Sequence, residues 1–366
     1  MRIRPFVLAV PVLALACGEA PPPAPQTPPP AHTVESTAAT TAAPPTPVAP
    51  EPTAEEKKKA EDKKALEKDR ADWKTKHDAE VSRWTPEIHA DVKKLTDKAF
   101  PSGKAAIQAM MASKHREPRN AERDKARHPA ETLDFFGFKP NMTVLDIGPG
   151  EGWYTELLAP ALAKQGKYFA TGGNANGPED ERPTFYAQRF KQFLETSSEA
   201  YGKVEMLVVN GKAPSLGKEN TFDMILIMRG VHGMVNAKTW DTWLDEFQKA
   251  LKPGGVLGIE EHRAKAGTTV EDAAKKGYVP QEFVIESAQK HGFKLAGKSE
   301  INANAKDTAD YADGVWTLPP TLKLGDKDKE KYVAIGESDR MTLKFVKAAA
   351  PAKPADKPAD KPAPKK

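Results

Sequence analysis

Cysteine occurs once in this sequence, at Cys17, so no disulfide can form within one chain. Residues 6–16 form an apolar run, but this run is too short for a permanent transmembrane helix. The net charge of residues 1–347 is also close to zero. The formal net charge is +4, and the five lysines and two aspartates from residue 348 onward supply +3 of it. The basic character therefore comes from one end, and we expect no nucleic-acid partner.

The first residues are arranged like an export signal, because two arginines precede the apolar run, which ends in Ala14-Leu15-Ala16-Cys17. This ending resembles the lipobox of bacterial lipoproteins, although leucine usually stands where this chain has Ala14. An ordinary secretory signal with a chance cysteine is the alternative. Because the only cysteine lies at the cleavage point, we expect residues 1–17 to be a lipoprotein signal with Cys17 lipidated. This predicts export and a lipid anchor in the bacterial cell envelope, at the periplasmic or outer-membrane face.

Composition divides the remaining chain into four parts. Residues 18–54 are rich in proline, alanine and threonine, and residues 348–366 in lysine, proline and alanine. Both have too little apolar surface to offset ordering entropy, so we expect a disordered tether and a disordered tail. Residues 55–84 alternate in charge sign, which is typical of a solvent-exposed helical spacer. Residues 85–347 are then the candidate folded domain.

Within that domain, strand-like segments alternate with helix-like segments. Seven strands are predicted, at 142–148, 166–172, 204–210, 222–228, 256–262, 293–301 and 340–347. Helices are predicted at 152–164, 183–200, 238–251 and 280–291, and a turn at Lys252–Gly255. The early strands are nearly continuous apolar runs, as expected of parallel strands covered on both faces. The alternation predicts an open α/β sheet preceded by an N-terminal helical extension.

Three glycines follow the first predicted strand at alternate positions, in the stretch VLDIGPGEGWYTELL (144–158). Glycines at this turn let a ligand approach the backbone without a clash at Cβ. A dinucleotide fingerprint would require glycine at position 153, where this chain has Trp153. A dinucleotide-dependent oxidoreductase is therefore disfavoured. A tight turn without any ligand is the other alternative.

The spacing G-x-G-x-G, with Asp146 two residues before the first glycine, resembles motif I of the class I S-adenosylmethionine-dependent methyltransferases. The stretches TFDMILIMRGVHGM (221–234) and FQKALKPGGVLGIEEH (247–262) are similar to the fourth and fifth strands of that family. More narrowly, residues 115–347 resemble a group of exported bacterial methyltransferase-like proteins. The resemblance implies a Rossmann-like sheet of seven strands with the last strand antiparallel. It also implies S-adenosylmethionine as cofactor and methyl transfer to an unknown, small acceptor.

The same resemblance implies a set of cofactor-binding residues on the glycine loop and around it. They are Asp146, Gly148, Gly150, Gly152, Tyr154 and Arg229. Two positions depart from the family pattern, because no acid ends the second predicted strand and Lys212 stands where an acid often follows the third. The candidates to replace the missing acid after the second strand are the amides of Asn174 and Asn176 or the acids Glu179 and Asp180.

Polar residues at the ends of the fourth and fifth predicted strands are the candidates for chemistry. Methyl transfer needs alignment and, for a poor nucleophile, a general base. We assign the base to His232 and its orientation to Glu261, with His262 as the second catalytic candidate. Arg229 or Arg263 is a candidate for holding an acid group. A structural network of ion pairs is the alternative for each, and no ligand spacing supports a metal.

Two functions from different classes remain open. The leading one is a membrane-tethered methyltransferase, favoured by Asp146 and the intact glycine loop. The alternative is a non-catalytic binding module that keeps the fold. The departures after two strands favour it, as does export, since S-adenosylmethionine is made in the cytoplasm. In either case the insertion with Trp316 is expected to lie over the site, and hydrophobic packing of Trp316 under a loop is favoured over stacking on a substrate. The arginine-rich segment 115–127 either solvates a helix, which is our default, or covers the site.

Overall fold

The computed structural model describes residues 53–348. The predicted signal with Cys17, and nearly all of the predicted tether and tail, lie outside these residues. Between residues 53 and 348, no helix combines the length and the apolar character that crossing a membrane requires.

Seven strands are present in the described part of the chain. They are β1 (Thr143–Ile147), β2 (Lys167–Gly172), β3 (Glu205–Val208), β4 (Phe222–Met228), β5 (Leu251–His262), β6 (Phe293–Ser299) and β7 (Arg340–Lys347). They form one sheet in the order β3-β2-β1-β4-β5-β7-β6. Neighbours among β1 to β5 pair in parallel, whereas β7 is antiparallel to β5 and β6. The predicted Rossmann-like sheet with its last strand antiparallel is confirmed.

Helices precede the sheet and then connect its strands. Those before β1 are α1 (Ala54–Arg83), α2 (Pro86–Thr96), α3 (Gly103–Met111), α4 (Pro118–Ala121), α5 (Asp124–Arg127) and α6 (Pro129–Phe136). Those after β1 are α7 (Thr155–Leu162), α8 (Arg182–Glu195), α9 (Ser198–Tyr201), α10 (Val231–Asn236), α11 (Trp240–Ala250), α12 (Val270–Lys275), α13 (Gln281–Lys290) and α14 (Lys329–Ile335). A turn of 3-10 helix, Gly314–Thr317, lies between β6 and β7.

Strand β1 shows how the sheet divides the core. Val144 packs in an apolar cluster with Leu157 of α7, whereas Leu145 packs in a cluster with Phe247 of α11. Side chains alternate along a strand, so Asp146 points to the same face as Val144. This face and the carboxyl end of β1 place the Asp146 carboxylate beside the loop that leads into α7.

The predicted turn at Lys252–Gly255 is wrong, because β5 already begins at Leu251. Leu251 pairs with Phe222, and the register then shifts so that Val256 pairs with Met224. Four residues of β5, 252–255, thus lie opposite the single residue 223 of β4, so the pairing of the two strands is interrupted there. Gly254 has a φ of +77°, a conformation that glycine adopts without a Cβ penalty.

The predicted helix 183–200 is two helices, α8 and α9. Ser197 lies between them with extended backbone, and its hydroxyl accepts a hydrogen bond from the amide of Ala200 at 3.2 Å. A serine in this geometry caps the N-terminus of a helix, so the chain restarts there instead of continuing α8.

Helix α1 carries exposed ion pairs such as Lys68–Asp72, as expected of a solvated helix. Its second half is nevertheless attached to α8. Trp73 Nε1 donates to Gln192 at 2.6 Å, and the guanidinium carbon of Arg189 lies 4.6 Å from the centre of the Trp73 ring. The spacer role and the domain boundary at residue 84 stay predictions, and these contacts hold α1 against the helices that follow β2.

Candidate functional site

The loop after β1 presents bare backbone at the carboxyl edge of the sheet. Gly148 and Gly150 have φ angles of +65° and +63°, which residues with a Cβ rarely adopt. A Cβ built on either glycine would meet no atom within 4 Å. These two glycines therefore border open space and leave room for a ligand.

Gly152 has a different role in the same loop. Its φ is +88°, and a Cβ there would lie 2.5 Å from the ring of Phe193 on α8. The absence of a side chain at this position lets α8 pack against the loop. The structure thus places the third glycine in helix packing, and its predicted cofactor contact stays a prediction.

A cavity of about 420 Å³ opens beside the loop, and a second cavity of about 620 Å³ adjoins it. We call the first one the loop cavity. Most of the predicted site residues line it, namely Asp146, Gly148, Gly150, Tyr154, Arg229, His232 and His262. Trp316, Pro319 and Pro320 form another part of its wall, as expected of the insertion between the last two strands.

Asp146 is buried at the base of the loop cavity. The Tyr168 hydroxyl donates to its Oδ2 at 2.8 Å, and the Thr171 hydroxyl accepts from the amide of Gly148 at 2.9 Å. Burial raises the pKa of Asp146 to about 6, although the hydrogen bond from Tyr168 and the charge of Arg229 act against this rise.

Tyr154 and Arg229 are both tied to a residue that was not assigned a role, Glu260. This fully buried carboxylate accepts from Arg229 Nη1 at 2.9 Å and from the Tyr154 hydroxyl at 3.2 Å, and Arg340 Nε lies 2.7 Å away. Burial and the charge of Glu260 raise the pKa of Tyr154 well above its ordinary value, so its hydroxyl stays protonated. The cofactor contacts predicted for Tyr154 and Arg229 stay predictions.

His232 and Glu261 form a pair at the carboxyl ends of β4 and β5. His232 Nδ1 lies 3.1 Å from Glu261 Oε1, and the other oxygen of Glu261 accepts from the amide of Val231 at 2.6 Å. Burial disfavours the charged imidazole of His232, but the charge and hydrogen bond of Glu261 outweigh it and raise the pKa of His232. Nε2 of His232 has no hydrogen-bond partner among residues 53–348. The imidazole is thus held at one nitrogen, and the side chain lines the loop cavity.

His262 lies near this pair and has the opposite electrostatic environment. Its ring centre is 5.9 Å from that of His232, and its Nδ1 is 2.6 Å from the Ser338 hydroxyl oxygen. Burial, together with the positive charges of His232, Arg229 and Arg340, lowers the pKa of His262 well below its ordinary value. His262 is therefore neutral at pH 7.

The segment that precedes β1 supplies residues that the sequence interpretation did not place in the site. Asn120, Arg123 and Arg127 line the loop cavity, so the default view of 115–127 as a solvated helix is wrong. Arg123 and Arg127 both donate to Glu337, which comes just before β7. The many arginines in this segment were the available sign of a role in the site, but nothing in the neighbouring sequence indicated Glu337 as their partner.

The arginine-rich segment is fixed to the start of α7 by buried polar contacts. Arg116 Nε donates to Glu156 at 2.7 Å, and Asn120 Nδ2 donates to the other oxygen of Glu156 at 3.1 Å. Trp153 Nε1 donates to the backbone oxygen of Asn120 at 2.9 Å, and the guanidinium of Arg127 lies 4.9 Å from its ring centre. Trp153 stands where a dinucleotide-binding motif would have its third glycine. In this chain it holds the arginine-rich segment over the loop.

Arg263, a candidate for holding an acid group, does not line the loop cavity. It pairs instead with Glu300 at 2.5 Å and Asp339 at 3.0 Å. Within residues 53–348, no group of three or more histidine, cysteine, aspartate or glutamate side chains is arranged to hold a metal ion.

His115 gives a stability prediction for this network. Burial lowers the pKa of His115 to about 4, while its Nε2 lies 2.8 Å from the backbone oxygen of Glu156. Between pH 6.5 and 4 the unfolded chain then binds a proton that the folded chain does not, so stability falls as the pH decreases. Relative to His115→Gln, the wild type should lose about 3 kcal/mol of unfolding free energy over this range. Urea unfolding at pH 7, 5.5 and 4.5 measures this difference, and parallel pH dependences would contradict it.

Part of the chain is similar in sequence to known methyltransferases. Residues 119–296 match the protein family described as "Methyltransferase domain". The chain is 27% identical over 129 residues to the ubiquinone/menaquinone biosynthesis C-methyltransferase of Hydrogenovibrio crunogenus, covering 35% of this chain and 45% of that protein. It is 33% identical over 137 residues to a sterol 24-C-methyltransferase of Gibberella zeae, covering 37% and 32%.

The chain therefore spans less than half of the length of these two relatives. Among solved structures, a SAM-dependent methyltransferase from Aquifex aeolicus aligns with a TM-score of 0.41 at 17% identity, covering 66% of this chain and 97% of that one. Residues 119–296, just under half of the chain, are thus similar to a family of methyltransferase domains, and the strand order is the one that the sequence resemblance implied.

Proposed function

We propose that this chain binds S-adenosylmethionine beside the glycine loop and activates a small methyl acceptor with His232. The observation that carries the proposal is the position of His232, which lines the same cavity as Gly148 and Gly150 and is held by the buried Glu261. The exposed backbone of the two glycines and the oriented His232 side chain thus lie on the same cavity. The two open glycines and the buried Asp146 fit the amino-acid end of such a cofactor, which carries an ammonium group.

The bound cofactor would supply an electrophilic methyl group on a sulfonium. The residues of this chain would then prepare the acceptor. His232 Nδ1 is engaged by Glu261, so Nε2 is the atom that takes the proton from an acceptor hydroxyl or amine. Glu261 keeps the ring oriented and stabilises the positive charge that the imidazole acquires. Trp316 and the two prolines after it would exclude water from the same space.

His262 is our second catalytic candidate, and its environment limits what it can do. Because its pKa is lowered and Ser338 engages its Nδ1, it is a neutral positioning group and not a proton carrier at pH 7. We assign it to fixing the acceptor near His232. Its neutrality also avoids a second positive charge beside His232.

A non-catalytic binding module is the second candidate. Two observations favour it: Asp146 already accepts a hydrogen bond from Tyr168, and no acid follows β2 where the family pattern places one. In that segment the side-chain oxygen of Asn174 already accepts a hydrogen bond from the backbone amide of Asn176 at 3.0 Å. Such a protein would bind an adenosyl ligand without turning it over.

One experiment separates the two functions. The purified chain is incubated with methyl-labelled S-adenosylmethionine and small-molecule extracts of bacterial cell envelopes, and label is followed into extract components. Transfer that requires the protein supports the enzyme. Saturable binding of the cofactor with no transfer to any fraction would favour the binding module.

Export by a lipid anchor is also a proposal, since Cys17 lies outside the described residues. We expect the mature protein to begin at an acylated Cys17, because the only cysteine ends a short apolar run after two arginines. Mass spectrometry of membrane fractions should find the acylated N-terminus, and Cys17→Ser should prevent processing. An intact Met1 on protein from the soluble fraction would refute the anchor.

A further inference from the structure

The arginines around the loop cavity differ in how many of their donors are used. Arg116 and Arg340 do not line the cavity, and all three side-chain nitrogens of each lie within 3.1 Å of protein oxygens. Five of these six nitrogens donate hydrogen bonds to protein oxygens, and Nε of Arg340 lies beside Glu260 in an ion pair without a hydrogen bond. Arg116 and Arg340 are therefore held by the protein itself, and they provide the comparison for the arginines that face the cavity.

Arg123 and Arg127 line the cavity and are only partly used. Each donates through Nε to the carboxylate of Glu337, at 2.9 and 3.0 Å. The terminal nitrogens of both have no hydrogen-bond partner among residues 53–348. The side chain of Arg127 is only 6% exposed. Even so, none of the terminal nitrogens of Arg123 and Arg127 is among the polar atoms of residues 53–348 that are both fully buried and without a hydrogen-bond partner. Both side chains line the loop cavity, and Arg123 also lines the adjoining cavity, so a ligand in this space can reach these nitrogens.

Charge near these nitrogens favours an anion. Glu337 is shared by three guanidinium groups, those of Arg123, Arg127 and Arg340. Arg340 also pairs with Glu260, whereas Arg123 and Arg127 both pair with Glu337 and, within residues 53–348, with no other carboxylate. Burial and the neighbouring charges of Arg229 and Arg340 lower the pKa of Arg123. An additional negative group at this wall would relieve the repulsion.

We propose that the terminal nitrogens of Arg123 and Arg127 form a carboxylate-binding site in the wall of the loop cavity. A guanidinium fork matches the two oxygens of a carboxylate, and a charge-assisted pair of this kind is stronger than a neutral hydrogen bond. The inference rests on the proposed function for the identity of the ligand. Two sources supply this chemistry: the amino-acid end of the cofactor, or an acid group on the acceptor.

Calorimetry with two matched pairs of probes distinguishes the sources. S-adenosylhomocysteine carries the cofactor's carboxylate, and 5′-methylthioadenosine lacks both this carboxylate and the ammonium group. The dependence on the arginines therefore assigns any preference within this pair to the carboxylate. Benzoate carries a simple acid group and benzamide is its neutral counterpart, and both are titrated with and without S-adenosylhomocysteine. The proteins are the full chain and the variants Arg123→Gln, Arg127→Lys and Arg119→Gln. Arg119 is the matched control, because it lies in the same segment, is 68% exposed and lines only the adjoining cavity, not the loop cavity.

We expect the carboxylate that occupies the site to lose about 10- to 100-fold in affinity in Arg123→Gln and Arg127→Lys. The neutral member of the pair should bind the variants as it binds the wild type, and Arg119→Gln should change nothing. A loss for S-adenosylhomocysteine assigns the site to the cofactor, and a loss for benzoate assigns it to the acceptor. Circular dichroism checks that the variants fold, and Arg123, being more exposed than Arg127, is the safer substitution.

Two results would overturn the site. One is equal affinity of both variants and the wild type for every carboxylate probe. The other is a wild type that never prefers the carboxylate over its neutral counterpart. If no adenosyl compound binds but benzoate binds in an arginine-dependent way, the carboxylate site stands and the proposed function fails.

Discussion

Replacing His232 with alanine is expected to lower methyl-transfer turnover by roughly two to four orders of magnitude, with little change in cofactor affinity. The expected size is that of a general base removed from a reaction that needs one. His232 is well suited to the task because Glu261, itself inaccessible to solvent, holds Nδ1 while Nε2 has no partner in the described structure. Cofactor affinity should persist because the glycine loop does not depend on the imidazole.

Turnover is measured with labelled cofactor and the acceptor identified from envelope extracts, and cofactor affinity by calorimetry. His291→Ala is the control histidine substitution. His291 pairs with Asp245 at 2.7 Å just before β6 begins, and β6 begins at the edge of the sheet opposite the loop cavity. Full activity of His232→Ala would move the base to another residue. Equal loss of binding and turnover would mean that His232 has a structural role.

The pH dependence adds a signature that a structural residue would not produce. A base works in its neutral form, so turnover should rise with pH and reach half of its maximum above the ordinary histidine value, because the pKa of His232 is raised. In Glu261→Gln the charge that raises this pKa is absent, while burial still lowers it. The midpoint should therefore move to lower pH, and an unmoved midpoint would contradict the assignment.

Replacing Gly150 with leucine should weaken binding of S-adenosyl compounds at least about 100-fold. A Cβ at this position meets no protein atom within 4 Å, so the side chain would extend into the space reserved for the ligand. The left-handed backbone adds a strain of about 1–3 kcal/mol, which a control must match.

Gly254→Leu is that control. Gly254 also has a positive φ and no atom within 4 Å of a built Cβ, but it lies at the start of β5, on the opposite edge of the sheet from the loop. Both variants should lose similar stability in thermal unfolding, and only Gly150→Leu should lose binding. Equal binding by the two variants would place the ligand elsewhere.

Much of the fold follows from local patterns. The apolar strands and the helices between them were predictable because both faces of the parallel strands are covered, and the loop because glycine has a conformational freedom that other residues lack. The same local view failed at Gly152, where the reason for glycine is the ring of Phe193, 41 positions later. Three glycines looked equivalent in sequence, but only two border the cavity.

The other half of the site depends on contacts between distant parts of the chain. Arg123 meets Glu337 at a separation of 214 positions, and Tyr154 meets Glu260 at 106. No periodicity or motif encodes such pairs. The first forms only when the segments before β1 and after β6 close over the same edge of the sheet, and the second only when the end of β5 lies near the loop after β1. The arginine-rich segment therefore looked like a solvated helix, although Arg127 and Arg116 are buried.

The central claim is that the loop cavity binds an S-adenosyl compound, and calorimetric titration of the full chain tests it most directly. S-adenosylmethionine, S-adenosylhomocysteine and NAD are titrated separately into the same preparation. We predict saturable heat with one site per chain for both S-adenosyl compounds and none for NAD. Heat with NAD alone, or no heat with either S-adenosyl compound at millimolar concentration, would contradict it.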